Sequence, residues 1–187
     1  MPDTTDAAAA QELLRDSFTR LIEHVDGVTD GLSDDIATYR PTPQANSIAW
    51  LLWHSARVQD VQICDIAQVL NGRSDKPRFA EHVWTRDGWV DRLGLDLPRD
   101  DTGYGHKPDD VAKVQAPTEL LAGYYHAVHD MTLEFVKTLT AADLERIVDE
   151  RWNPPVTASA RMVSIIDDCA QHLGQAAYLS GIAPGIA

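Results

Sequence analysis

Positive charge is scarce in this chain, with 16 lysines and arginines against 29 aspartates and glutamates, for a formal net charge of −13 over 187 residues. A surface of that sign repels phosphate backbones and anionic lipid headgroups, so neither nucleic acid nor a membrane surface is expected as a partner. Cysteine is almost absent. Cys64 and Cys169 are the two thiols; they form no close-spaced motif and both fall inside helical patterns, which predicts reduced, packed side chains and no disulfide framework. No apolar run approaches the roughly 20 residues that span a bilayer, and "MPDTTDAAAA" lacks the basic flank and apolar centre of a signal peptide. A cytoplasmic location is the expectation.

The rest of the composition is that of an ordinary globular protein, 44% hydrophobic and 24% charged, at a length that suits one domain over residues 1–187. Four segments carry the apolar rhythm of packed helices, placed at about 7–30, 46–70, 118–139 and 159–180. The stripe of the first is Leu14, Phe18, Leu21, Val25, Val28 and Leu32, and that of the third is Leu121, Tyr125, Val128, Thr132, Phe135 and Leu139. The second and fourth are different. Their inward lines read Ser47, Leu51, His54, Val58, Val61, Asp65 and Ile165, Asp168, His172, Gln175, Leu179, so polar side chains interrupt both.

After the first and third helices come "LSDDIATYRP" and "LTAADLERIVDE", each with a hydroxyl residue placed to cap a short turn. The chain therefore reads as two similar halves. Residues 71–116 form a long irregular crossover, with one helix expected near Glu81–Leu93, and Trp84 and Trp89 either covering one end of the fold or plugging its side. The predicted fold class is all-α, an antiparallel four-helix bundle.

Residues four apart share a helix face, so Asp168 and His172 present a carboxylate and an imidazole together, and His54 faces them from the second helix. Burying such groups costs several kcal/mol unless they are paired or bound to something, and a divalent cation does both. The plain alternative is a hydrogen-bonded core histidine at His54 and an intrahelical pair at Asp168 and His172. Four more residues are candidates for the surroundings: Gln175 to orient a ligand, Tyr125 as a pocket wall, His129 as a reserve ligand or proton carrier, and Arg57 to hold an anionic substrate group or pair with a surface acid. His126 is expected in solvent, and His106 in "GYGH" as either a lid residue or a loop histidine.

"NSIAWLLWHSARVQD" followed downstream by "DDCAQHLGQAAYLSG" resembles the DinB/YfiT-like superfamily of metal-binding four-helix bundles, which includes mycothiol-dependent maleylpyruvate isomerases and bacillithiol transferases. "DGWVDRLGLDLPRDDTGYGHKPDDVAKV" extends the resemblance over nearly the whole chain. It implies that His54 and His172 are metal ligands. Asp168 stands where the family more often has His or Glu, one methylene shorter than Glu. Also implied are a cytoplasmic homodimer, zinc or nickel, and mycothiol or a similar thiol that is deprotonated on the metal to attack a small-molecule electrophile, giving a transferase or an isomerase. Two other functions use the same residues: a non-catalytic bundle that binds a ligand or partner, and a hydrolase working through metal-activated water.

Overall fold

The computed structural model describes residues 4–71 and 79–184. Four long helices, α1 (Thr4–Thr29), α3 (Ile48–Leu70), α7 (Thr118–Val136) and α9 (Ala158–Ile182), form the body of the fold. Short elements join them: α2 (Asp34–Ala37), α4 (Val83–Arg86), α5 (Trp89–Leu93), α6 (Pro108–Val111), α8 (Ala141–Leu144), and the strands β1 (Ile147–Asp149) and β2 (Val156–Thr157). Each long helix packs on two others, in the ring α1, α7, α3, α9. The four-helix bundle of the sequence reading is observed.

Direction within the ring follows from the contacts between helices. Gln11 donates to the Leu139 carbonyl at 2.7 Å and His126 meets Asp26 at 2.8 Å, so α1 and α7 are antiparallel. Cys169 reaches the Ser55 carbonyl at 3.6 Å while His54 and His172 lie together, so α3 and α9 are antiparallel too. The crossover changes the third pair. Its segment 101–106 lies against the start of α3, and the Thr118 amide then donates to Asp34 Oδ1 at 2.7 Å, so α7 begins at the end where α3 begins and the two run parallel.

Caps set the helix starts. Ser47 Oγ accepts from the Trp50 amide at 3.1 Å, and Thr157 Oγ1 from the Ala160 amide at 3.2 Å, each satisfying one of the donors a helix start leaves open. Ser33 and Thr140 cap α2 and α8, as the repeated Ser/Thr-then-acid pattern predicts. The ribbon of β1 and β2 was not foreseen, being too short for any period-2 signal.

The α7 stripe is buried as expected, and so is that of α1 from Phe18 to Val28, with Leu14 and Leu32 at its ends half-buried against the core. On α3 the pattern differs: ten consecutive residues, Ile48 to Arg57, are buried, and the buried line then continues through Gln59, Ile63, Ile66, Ala67 and Leu70, leaving Val58 and Val61 half-buried and Asp65 exposed. The crossover covers the outer side of the first half of α3, which is why that stretch has no solvent face. Burying a side chain of leucine or tryptophan size contributes roughly 1.5–3 kcal/mol, so Leu51, Leu52 and Trp53 anchor this end of the bundle.

The single helix expected over 81–93 is two, because Gly88 takes φ +71 between α4 and α5. Trp84 and Trp89 plug the side of the core: their rings lie 5.1 Å and 5.9 Å from that of Tyr124 on α7. Gly123 makes room for the plug, since a Cβ there would come within 2.9 Å of the Trp89 ring. The "NGR" at the end of the second helix is only partly within view; Asn71 caps α3, and residues 72 and 73 lie outside the described residues.

Candidate metal centre

His54 sits on the second turn of α3, and Asp168 and His172 one turn apart on α9. One ligand atom from each of the three lies within 4.8 Å of the others, the geometry of a group able to hold a metal ion. The His54 and His172 ring centroids are 4.9 Å apart. His54 is buried, whereas the side chains of His172 and Asp168 are 19% and 38% exposed. The buried line of α9 runs instead through Met162, Ile165, Cys169, Leu173, Ala176 and Leu179. Asp168 and His172 therefore flank the core, not face its centre, and the cluster opens on one side to solvent.

Hydrogen bonds orient both imidazoles. His54 Nδ1 meets the Thr102 carbonyl at 2.5 Å, and His172 Nδ1 meets the Asp168 carbonyl at 2.7 Å. A carbonyl oxygen can only accept, so each Nδ1 carries the proton and each Nε2 keeps its lone pair. That is the tautomer a metal-ligating histidine adopts when its second nitrogen is engaged. Asp168 Oδ2 is buried and has no hydrogen-bond partner; His172 Nδ1, 3.7 Å away, already gives its proton to the carbonyl. A buried carboxylate oxygen without a partner costs free energy that a cation between it and the two lone pairs would recover.

Other candidates fall elsewhere. Arg57 is not a surface residue: it is fully buried, donates through Nε to the Asp101 carbonyl at 3.0 Å, pairs with Asp60 at 3.3 Å, and lies over the Trp84 ring at 5.0 Å. It ties the crossover to α3. His129 is buried among groups of another face, with Asp130, His126 and Asp26 as its charged neighbours, and is not one of the three clustered residues. His126 is exposed and pairs with Asp26. Tyr125 is buried behind the cluster against Cys169; burial holds its hydroxyl well above the usual tyrosine range and pushes the Cys169 thiol up to about 12. Both cysteines are free and buried, as composition suggested. Gln175 is exposed and lines a surface groove of about 600 Å³ with Gln44, Asn46, Leu51, Gln171 and Tyr178.

Sequence reasoning missed the groups behind His54. Trp50 stacks on its ring at 4.5 Å and 16°, and the backbone of Thr102 holds its proton. The first could be read from the i, i+4 spacing. A backbone carbonyl 48 residues away has no sequence signal.

The sequence profile of the DinB superfamily matches residues 17–176. The chain belongs to the DinB superfamily. A crystal structure of a conserved protein from Enterococcus faecalis is similar to it at 30% identity and a TM-score of 0.80, over 93% of this chain and 96% of that one. No curated protein matches the chain. Among the described residues of this DinB-superfamily protein, no helix is long and apolar enough to cross a membrane.

Burial lowers the pKa of His54 and of His129 below the ordinary 6.5, in His54 partly offset by the Thr102 carbonyl. The fold thus favours the neutral rings. Their contribution is fully present above the unfolded-state pKa and is lost as pH falls through that value toward the lowered folded ones, because the unfolded chain then binds more protons. In the metal-free DinB bundle, urea midpoints should fall between about pH 7.5 and 5.5, and less steeply in His129→Gln; equal slopes would remove His129 from this account.

Proposed function

We propose that this protein is a metal-dependent enzyme of low-molecular-weight thiol chemistry, carrying out thiol S-transfer or thiol-assisted isomerisation. His54, Asp168 and His172 hold the cation, and the observation that carries the reading is the buried, unpartnered Asp168 Oδ2 beside two imidazoles whose Nε2 atoms are left free. Two nitrogens and one oxygen suit zinc or nickel, and three protein ligands leave a position for a thiol or water. Bound there, such a cation supplies the acidification that a free thiol of pKa about 8.5 needs at neutral pH.

The chain's own residues do the rest. Trp50, stacked on His54, and Trp53, which meets it around Gly103, wall the closed side of the cluster and exclude water from His54. Gln171 and Gln175 flank His172 on α9, so the groove they line adjoins the open side and suits a small-molecule substrate or co-substrate. Four of its lining residues are carboxamides and none is charged, which favours a neutral thiol such as mycothiol over an anionic one. The same lack of charge favours, as a second reading, a non-catalytic bundle that binds a neutral ligand. A cytoplasmic homodimer completes the proposal.

Metal analysis of protein purified without chelators or an affinity tag, together with scattering at the zinc and nickel edges from crystals, tests the ligand set. Stoichiometric metal at the three residues is expected, and none in the native protein removes the basis of the enzyme reading. Turnover that requires added thiol is expected; turnover without thiol would make the protein a hydrolase.

A further inference from the structure

The segment Asp101–His106 does more than pass over α3. Trp50, whose ring stacks on His54, donates through Nε1 to His106 Nδ1 at 3.0 Å. His106 Nδ1 is thereby an acceptor, so its proton is on Nε2, which lies 3.0 Å from both carboxylate oxygens of Asp101. Asp101 Oδ1 accepts the Gly103 amide at 2.8 Å, and the Asp101 carbonyl accepts from Arg57 Nε at 3.0 Å. Between Asp101 and Gly103 is the Thr102 carbonyl that takes the His54 proton. The contacts close a cycle that leaves α3 at Trp50 and returns to it at His54.

Gly103 is where this cycle tolerates least. Its φ is +86, and a Cβ there would stand 2.8 Å from His54 Nδ1, 3.0 Å from Trp53 Cζ3 and 3.1 Å from Trp50 Cζ2. None of the three rings can give way readily, since all are buried and His54 and Trp50 are stacked. His106 has no free nitrogen to act as an acid or base. Its role and that of Asp101 are to shape the loop.

We propose that the Asp101–His106 loop is the positioning element of the metal centre, with Gly103 and Asp101 fixing His54 in the single tautomer and ring orientation that present Nε2 to a cation. This inference rests on the metal reading for its consequence but not for its geometry, and the two fail separately. Outer hydrogen-bond partners of ligating histidines typically change metal affinity 10–100-fold when lost. Long-range ¹H–¹⁵N spectra of the metal-free protein should show His54 as the Nδ1–H tautomer, and chelator competition should give the zinc affinity. In Gly103→Ala, and in Trp50→Phe, which keeps an aromatic ring over His54 and removes the donor to His106, His54 should populate both tautomers and zinc affinity should fall about 10–100-fold. A native protein that takes up no zinc, yet shows the tautomer shift in the variants, leaves the positioning role standing and removes the metal. Zinc bound equally by native protein and both variants, with the His54 tautomer unchanged, overturns the proposal; Trp50→Phe keeps it testable if Gly103→Ala does not fold.

Discussion

In His54→Ala, the stoichiometric zinc or nickel expected in the native protein is lost, and thiol-dependent turnover with it. Removing a neighbour of a ligand costs 10–100-fold in affinity, and removing one of only three ligands costs more, so retention through purification should fail. A thermodynamic readout accompanies the chemical one. A ligand at 100 times its Kd stabilises the folded state by about 2.7 kcal/mol, and each kcal/mol moves the midpoint of a chain this size by about 2–4 °C, so zinc should raise the native Tm by about 5–10 °C. His54→Ala should show no such rise. A zinc-dependent rise of the same size in the variant would mean that the cation binds elsewhere.

Asp168→Glu probes the same centre from the other helix. Aspartate is one methylene shorter than glutamate, and a carboxylate oxygen of Asp168 sits with one ligand atom each of His54 and His172 inside 4.8 Å without needing that extra length. The half-exposed flank position of Asp168 explains how: a side chain at the edge of the buried line does not have to reach across the core.

Helices with one buried face were legible in the sequence because periodicity is a local signal. α1 and α7 pack against the ring on one side only, and their stripes are buried throughout except at the two ends of the first, Leu14 and Leu32, which are half-buried. α3 defeated the same reasoning. Its outer side is covered by the crossover, so Arg57, which looks like a surface arginine on a helical wheel, is sealed by Asp60, Tyr124, Trp84 and the Asp101 backbone. The clustering of His54, Asp168 and His172 was legible because Asp168 and His172 stand at helical spacing and His54 lies on the facing helix. The device that orients it was not, because its last link is a backbone carbonyl and its tightest point is a glycine, and neither announces a partner. "GYGH" offered only a lid or loop histidine within an irregular crossover, and the positive φ of Gly103 (+86) and Gly105 (+77) was not anticipated.

The largest loss of stability from one substitution is expected at Asp60, a residue with no part in the chemistry. Its Oδ1 accepts the Val83 amide at 2.9 Å; its Oδ2 accepts the Trp84 amide at 2.9 Å, the Tyr124 hydroxyl at 2.9 Å and Arg57 at 3.3 Å. Asp60, Arg57 and Tyr124 are all fully buried. Asp60→Ala strands a guanidinium and two amide donors out of water, and removing one partner of a buried ion pair costs about 3–5 kcal/mol. At about 2–4 °C per kcal/mol the midpoint should drop by about 6–20 °C. Asp60→Asn keeps the shape but turns an amino group toward donors, so it should recover little. The comparison that decides the cause is Asp91→Ala. Asp91 and Arg99 are closer, at 2.6 Å, but 70% and 65% exposed, and solvent screens such a pair, so its loss should leave the midpoint unmoved. If the two substitutions shift Tm equally, burial is not what gives the Asp60 network its weight. If only Asp60→Ala does, the crossover is held by that network, and the loop that positions His54 depends on it through the Arg57 contact to Asp101.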